Sequence, residues 1–456
     1  MGDGAMTRIL FFGDIDATGF GSVTTDLGRA LLDRGEDVRF LSQNAAGEAL
    51  AEPFRSRTVT ATSLITVIDQ LAGTGGITGS ANIIGDLLTG KSTAMLTNGT
   101  PYGAWVPEAA IMLGDFTAAR MLVMPHWEAF REMRGRLFHY VPIEGIHLPP
   151  FWNELWSVLT PVAMSNFGAD EIAKVTGSRP PMSYHGVDAE VFHPASSSRP
   201  LVIRPSGREP LELASKDECK RMWAAFFGVR TPRKWILRTD RHMPRKAYNA
   251  MLRGLVPHLY ANPDTALILH CRQFDQGGYL PDTLSKLPGA RPLTNGLADE
   301  DNPRPDAWAL FGRPFPQVIL TNQTGLPRDA LASLYNAADL YVSTSAEGFG
   351  LTIAEALACG VPAVGVDFSA VPEVIGPAGS VVPIAGLLEN MYDHFWCWID
   401  EKALGDTVSD LMARPNRRER LGAKGPAHVK RNFSWSTAAE QFSDLISQAV
   451  GKELVA

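Results

Sequence analysis

The sequence predicts an α/β protein made of two doubly wound domains, and three observations carry that expectation. Its 456 residues are enough for two or three domains, each with a sizeable core. Near the start, an apolar strand at Ile9 to Phe12, a glycine-bearing turn and a helix from about Ser22 to Arg34 lead to a strand at Val38 to Leu41. That is a βαβ opening. Towards the end, LYVSTSAEGFGLTIAEALACGVPAVG (Leu340 to Gly365) reads as strand, glycine turn, helix and strand, again the unit of a parallel sheet.

Between these two units the elements follow in order. Ala45 to Thr93 is small and polar, with a helical pattern at Ser63 to Leu71 and a loop at Gly73 to Gly79. Strand-like runs recur at Ala94 to Thr97, Met121 to Met124, Leu137 to Val141 and Val162 to Ser165, with helical patterns between several of them. Trp127, Phe130 and Met133 with Arg131, Arg134 and Arg136 make an amphipathic helix. It is either an ordinary core-facing helix or a basic patch for an anionic acceptor or a lipid surface. Ala195 to Pro210, rich in serine, proline and arginine, marks the domain boundary. The expected domains are therefore 1–195, 196–433 and a terminal helix within 434–456.

The second domain is expected to open with a helix at Lys216 to Phe227. Its strands are Trp235 to Thr239, Ala266 to His270 and Val318 to Thr321. Gln273 to Gln317 holds seven prolines and five glycines with little periodicity, the mark of an insertion. Phe395 to Trp398 reads as core or interface, and Asp406 to Leu421 as a charged, solvated helix.

Composition narrows the function. Hydrophobic content of 45% and charged content of 20% describe an ordinary soluble globular chain. A net charge of −7 argues against a protein built mainly to coat nucleic acid or an anionic membrane. The four cysteines are too scattered for a disulfide framework, and no pair has metal-site spacing. No apolar run approaches the roughly 18 residues of a membrane span. The N-terminus lacks the pattern of a signal peptide, so a cytoplasmic protein without an integral membrane segment is expected.

The Leu340 to Gly365 unit carries the chemistry. A helix N-terminus at the carboxyl end of a strand offers unpaired N–H groups and partial positive charge to a phosphate. Glu347 and Glu355, with seven residues between them, would be repelled by that phosphate and need another partner. Hydroxyl groups suit an ionised carboxylate. Phosphate together with hydroxyls points to a nucleotide sugar. The plain alternative is that Glu347 complements the helix dipole and Glu355 is a solvated helix residue. The turn Gly19-Phe20-Gly21 is a second place where backbone can approach a phosphate, or else only a structural turn.

A second signal is cationic. Arg230, Arg233, Lys234, Arg238, Arg241, Arg245 and Lys246 fall within seventeen residues, with Asp240 the one acid among them. Either they form a solvated face, or Arg241 and Lys246, five apart at a strand-to-helix turn, neutralise a diphosphate and stabilise it as it leaves.

Tyr335-Asn336-Ala337-Ala338-Asp339 through Pro362, with EGFG, the second Glu and a Cys-Gly-x-Pro end, resembles the signature of the retaining GT-B nucleotide-sugar glycosyltransferases. Tyr184-His185-Gly186-Val187-Asp188, followed by Phe192 and Pro194, resembles that family's hinge. The resemblance implies two Rossmann-like domains facing a cleft, with the C-terminal helix crossing back to the first. It implies that Glu347 contacts the transferred sugar and Glu355 the ribose, while Gly348, Phe349, Gly350 and Leu351 present backbone to sugar and diphosphate. It places Gly19, Phe20 and Gly21 over the donor, Arg241 and Lys246 on the diphosphate, and Asn322 near the base. Two departures stand out. Asp240 occupies the place where the family usually has glycine. No histidine lies at the strand tip near Tyr140 to Gly145, so Glu144 becomes the candidate base or acceptor binder.

The resulting expectation is a metal-independent, cofactor-free transferase. It would move a sugar from a nucleoside diphosphate donor to an acceptor hydroxyl on a small molecule, glycan or lipid. The same chemistry on a modified DNA base and a catalytically inert sugar-nucleotide-binding scaffold are the rivals. A phosphorylase or epimerase would show motifs that the chain lacks.

Overall fold

Two parallel sheets with one strand order organise the chain. The computed structural model describes residues 6–16, 18–42, 51–60, 83–92, 94–205, 207, 209–293, 306–321, 325–390 and 393–453. The helix expected at Ser63 to Leu71, the loop at Gly73 to Gly79 and Asn322 lie outside the described residues. The chain forms two compact units: Met1–Ile143 with His147–Gly186 and Ser434–Ala456, and Val187–Phe433 with Glu144–Ile146.

In the first unit, β1 (Arg8–Phe12), β2 (Asp37–Ser42), β3 (Thr58–Thr60), β4 (Ala109–Leu113), β5 (Leu137–Val141) and β6 (Thr160–Ala163) form a sheet. All its pairings are parallel, and its order is β3-β2-β1-β4-β5-β6. This is the doubly wound order whose reversal between the first and fourth strands opens a crevice at their carboxyl ends. Helix α1 (Gly19–Asp33) begins earlier than the Ser22 expected, because Thr18 caps it by accepting from Gly21 N at 3.2 Å. Gly19, Phe20 and Gly21 are thus its first turn rather than a loop. The C-terminal helix (Trp435–Glu453) packs on α1, and its Phe442 meets Tyr140 edge-on at 5.0 Å.

Two sequence expectations fail in this unit. Met121 to Met124 is not a strand: it closes a helix, Phe116–Val123, capped by Asp115, and runs into a 3₁₀ turn with Met121 and Met124 exposed. The strand is instead β4, Ala109–Leu113, buried along its whole length. Ala94 to Thr97 provides two isolated bridges rather than a sheet strand.

The second unit repeats the order. β9 (Lys234–Thr239), β10 (Thr265–His270), β15 (Val318–Leu320), β16 (Leu340–Val342), β17 (Ala363–Val366) and β18 (Gly379–Val382) run parallel as β15-β10-β9-β16-β17-β18. Here β9 and β16 flank the reversal. The boundary falls after Gly186 rather than at Ala195, because the chain beyond it is already tied to this unit. Asn336 Oδ1 accepts from Ala195 N at 2.8 Å, its Nδ2 donates to His193 O at 3.0 Å, and Phe192 packs on Tyr335.

The serine- and proline-rich stretch expected to mark the boundary carries β7 (Leu201–Ile203), which forms a hairpin with β8 (Leu211–Leu213) just beyond it. The expected insertion carries the short hairpin β11 (Phe274–Asp275) and β12 (Gly278–Tyr279), a helix, and β13 (Arg291–Pro292) with β14 (Asp306–Ala309). The last two strands extend the sheet antiparallel at its edge. Phe395 to Ile399 is β20, paired with β19 (Ile384–Glu389). The charged stretch near the end is two helices, Glu401–Ala413 and Pro415–Gly422. All four cysteines are buried thiols. Among the described residues no helix is long and apolar enough to cross a membrane.

Candidate active site

The candidate side chains gather where β9 and β16 end, at the reversal of the second sheet. β9 runs into Asp240 and a 3₁₀ turn, Pro244–Lys246, closed by Ala247 in the left-handed region. β16 runs through Ser343, Thr344 and Ser345 to Glu347 and then into a helix, Leu351–Ala358. Hydrogen bonds tie the two turns together: Thr344 Oγ1 donates to Lys246 O at 2.9 Å, and the buried Arg238 donates to the Thr344 hydroxyl.

Glu347 is the hub. Its carboxylate accepts from Lys246 Nζ at 2.5 Å, from Arg245 Nη1 at 3.4 Å and from the Ser345 hydroxyl. Its own N–H donates to Ser369 Oγ at 2.8 Å, which fixes the turn. Burial by itself would raise the Glu347 pKa. The charges of Lys246 and Arg245 and the hydrogen bonds outweigh it and hold the pKa at about 2. At neutral pH Glu347 is therefore an anion, able to accept hydrogen bonds and unable to donate a proton.

Three cations meet three carboxylates around it. Lys246 Nζ also lies 2.9 Å from Asp240, Arg245 lies 2.9 Å from Glu144, and Arg238 Nη2 lies 3.2 Å from Asp240. Asp240, the residue standing where the resembled family has glycine, is thus a counter-ion to two of the cations. A charge left unpaired in such a buried setting is costly, so each member holds the others in place.

Arg245, rather than Arg241, accompanies Lys246. Arg241 reaches away and makes a two-point pair with Asp275, at 3.0 and 2.7 Å, with about half its side chain exposed. Sequence reasoning chose Arg241 by spacing. The usable signal for Arg245 was its position next to Lys246 inside the same Pro-initiated turn. Glu144, expected on the acceptor side, belongs to the second unit through its pair with Arg245. The Ile146–Phe395 bridge beside it is made by two N–H···O bonds of 3.0 Å.

Glu355 lies on the same helix, half-buried, and accepts from the Tyr335 hydroxyl at 2.8 Å. That hydroxyl lies 2.8 Å from Thr239 Oγ1, at the end of β9. This polar network was not legible from spacing, because Thr239, Tyr335 and Glu355 come from three elements. Gly350 sits at φ +105° at the helix N-cap with no side-chain cap, so the first N–H groups of the helix stay open to a ligand. Gly348 and Phe349 are buried beside it, Phe349 edge-on to Phe433 at 5.1 Å, and Leu351 starts the helix.

Gly21 and His139 both serve packing. Gly21 leaves out a Cβ that would lie 2.3 Å from Asp16 O, so its small size is used for chain packing at the start of α1. His139 is buried, donates from Nε2 to Gly114 O at 3.1 Å and accepts from Trp156 Nε1 at 3.2 Å, a structural histidine. Among the described residues no group of three or more His, Cys, Asp or Glu could hold a metal.

Comparison with known proteins supports the same assignment. A family model described as glycosyl transferases group 1 matches residues 301–395, which contain the β16–helix–β17 unit. The GDP-mannose-dependent α-(1-6)-phosphatidylinositol monomannoside mannosyltransferase of Mycolicibacterium smegmatis is 25% identical over 57% of this chain and 58% of its own. That match thus spans little more than half of the relative's length. In fold, sucrose-phosphate synthase from Thermosynechococcus elongatus aligns with a TM-score of 0.62 at 16% identity, covering 98% of this chain and 100% of that one. HepE of Anabaena, solved with UDP and glucose, aligns at 0.61 and 13% identity, covering 97% and 100%. With two 3-2-1-4-5-6 sheets, a C-terminal helix returned to the first unit and solved neighbours aligned over nearly the whole chain, the chain has the GT-B fold, and its residues 301–395 match the model of glycosyl transferases group 1.

Proposed function

We propose that the protein transfers a glycosyl group from a nucleoside diphosphate sugar to an acceptor hydroxyl, with retention at the anomeric carbon and without a metal. The observation that carries this reading is the Lys246–Glu347–Arg245 cluster beside the open helix N-terminus at Gly350.

In this reading the permanently ionised Glu347 accepts hydrogen bonds from hydroxyls of the transferred sugar. Glu355, oriented by the buried Tyr335 hydroxyl, meets the ribose. The leaving diphosphate is received by Lys246, Arg245 and the N–H groups that follow Gly350. Charge stabilisation of this kind acts where negative charge develops and is worth about 2.7–4 kcal/mol per donor in a dry site. Glu144 and Asp240 hold the two cations in place before the donor arrives. The relatives differ in the donor their names state, GDP-mannose for one and UDP with glucose for another, so the proposal names the diphosphate and leaves the base open.

A modified base in DNA as acceptor is the weaker reading. It drew on one continuous basic cluster. Those at the carboxyl end of β9 are matched by Asp240, Glu347, Glu144 and Asp275.

The test is thermal unfolding with uridine, guanosine and adenosine diphosphate sugars, chelator present throughout. A ligand at 100 times its Kd should add about 2.7 kcal/mol of stability. A shift with one nucleotide class, lost in Glu355→Ala, is the expected result. No shift with any donor, or a shift that appears only when the chelator is replaced by a divalent ion, would overturn the proposal.

A further inference from the structure

The cations expected to act together lie at the two ends of one strand. Arg238, Arg241, Arg245 and Lys246 occupy the carboxyl end of β9, and Arg230, Arg233 and Lys234 its amino end. Six residues of strand put roughly 20 Å between the ends. That exceeds the screening length of about 8 Å at physiological salt, so the second group does nothing for a diphosphate at the first.

Of the amino-end group, Arg233 lines an open depression of about 410 Å³, together with Asp217, Lys220, Arg221, Thr231 and Pro232. Pro232 is the one apolar member, so the lining is unsuited to a greasy ligand. Arg221 and Arg233 are exposed and form no ion pair among the described residues. Lys220 is different: it is buried, with Nζ donating to Asp339 Oδ2 at 2.6 Å and to Arg233 O at 3.1 Å. An ammonium has three donors, and these two bonds leave one unspent. Asp339 is itself fixed, since it also accepts from Trp235 N at 2.8 Å and pairs with Lys216 at 2.8 Å. Lys220 is therefore a cation fixed at the wall of the depression by its pair with Asp339, in a lining it shares with the exposed Arg221 and Arg233.

We propose that this depression is a second anion site that binds a phosphate-bearing small molecule. Two guanidinium forks and a fixed ammonium suit phosphate oxygens, and Thr231 adds a hydroxyl donor. Asp217 in the lining, with Glu218 next to it, interrupts the positive surface and disfavours an extended polyanion such as a nucleic acid backbone.

The test reads the two arginines directly. The full chain is treated with phenylglyoxal, with and without millimolar inorganic pyrophosphate, and modification of each arginine is followed by peptide mass spectrometry. Arg221 and Arg233 should be modified at least five-fold more slowly with pyrophosphate, and the exposed Arg29 and Arg34 of the first unit at unchanged rates. In calorimetry, Arg221→Ala/Arg233→Ala should lose one pyrophosphate site while keeping the wild-type unfolding midpoint. Three outcomes would overturn the proposal: no protection, equal slowing at Arg29 and Arg34, or protection by a short DNA duplex and not by pyrophosphate.

Discussion

Lys246 holds Asp240 and Glu347 at once, and this double contact sets what substitutions there will do. Removing the ammonium leaves two buried carboxylates facing each other with less compensation. Lys246→Ala should cost about 3–5 kcal/mol of stability in urea unfolding and abolish transfer. Glu347→Gln keeps the shape and removes the charge; it should lower transfer at least about 10²-fold, on the scale of a lost electrostatic contact. Full activity in either variant would remove the mechanism. The two arginines separate spacing from geometry. Arg245→Ala should weaken donor binding and slow transfer, whereas Arg241→Ala, an exposed pair with Asp275, should cost no more than about 1 kcal/mol and leave turnover near wild type. The reverse order in kinetics would restore the role that spacing alone assigned to Arg241.

At the scale of elements, the turn between β16 and the helix Leu351–Ala358 depends on one backbone conformation. Gly350 at φ +105° is outside the range that other residues adopt easily, and a Cβ there would lie 3.1 Å from Ile353 Cδ1. Gly350→Ala should destabilise the protein by about 1–3 kcal/mol and reduce the donor-induced shift in unfolding, since it re-aims the N–H groups that follow. An unchanged donor shift would show that these groups do not meet the diphosphate. The helix was legible from its apolar positions and from Gly360 beyond its end. Elements without such a period were not. β13 and β14 are short and proline-flanked, and the helix Phe116–Val123 ends in an apolar run that imitates a strand while Met121 and Met124 face solvent.

Across the whole molecule, buried imidazoles set the response to acid. His139 and His185 in the first unit, and His258 and His270 in the second, are pushed by burial from 6.5 to about 4, 3, 4 and 4. The folded state therefore binds fewer protons than the unfolded chain between these values and 6.5. Stability is full above pH 6.5 and falls as pH drops towards 4, by up to about 1.4 kcal/mol per pH unit for each imidazole. Glu347, held at about 2 from 4.5, adds a further loss below pH 4.5. Urea unfolding from pH 7.5 to 4.5 should show midpoints that fall steadily below pH 6.5. A flat profile would mean that these histidines are protonated in the folded protein.

The sequence by itself determined the fold class and the two βαβ units, and it singled out Glu347, Glu355 and Lys246 as candidates, because strand and helix periods and a glycine turn are local properties. It also announced a cationic cluster. Only the tertiary structure decided which cations act together, since that depends on which end of β9 each one occupies. It put Arg245 on Glu347 and Arg241 on Asp275, made Asp240 a counter-ion, and carried Glu144 into the second unit. Each of these is a contact between residues far apart in the chain or at opposite ends of one strand, and pair energies that depend on distances of 3 Å leave no trace in spacing along the chain.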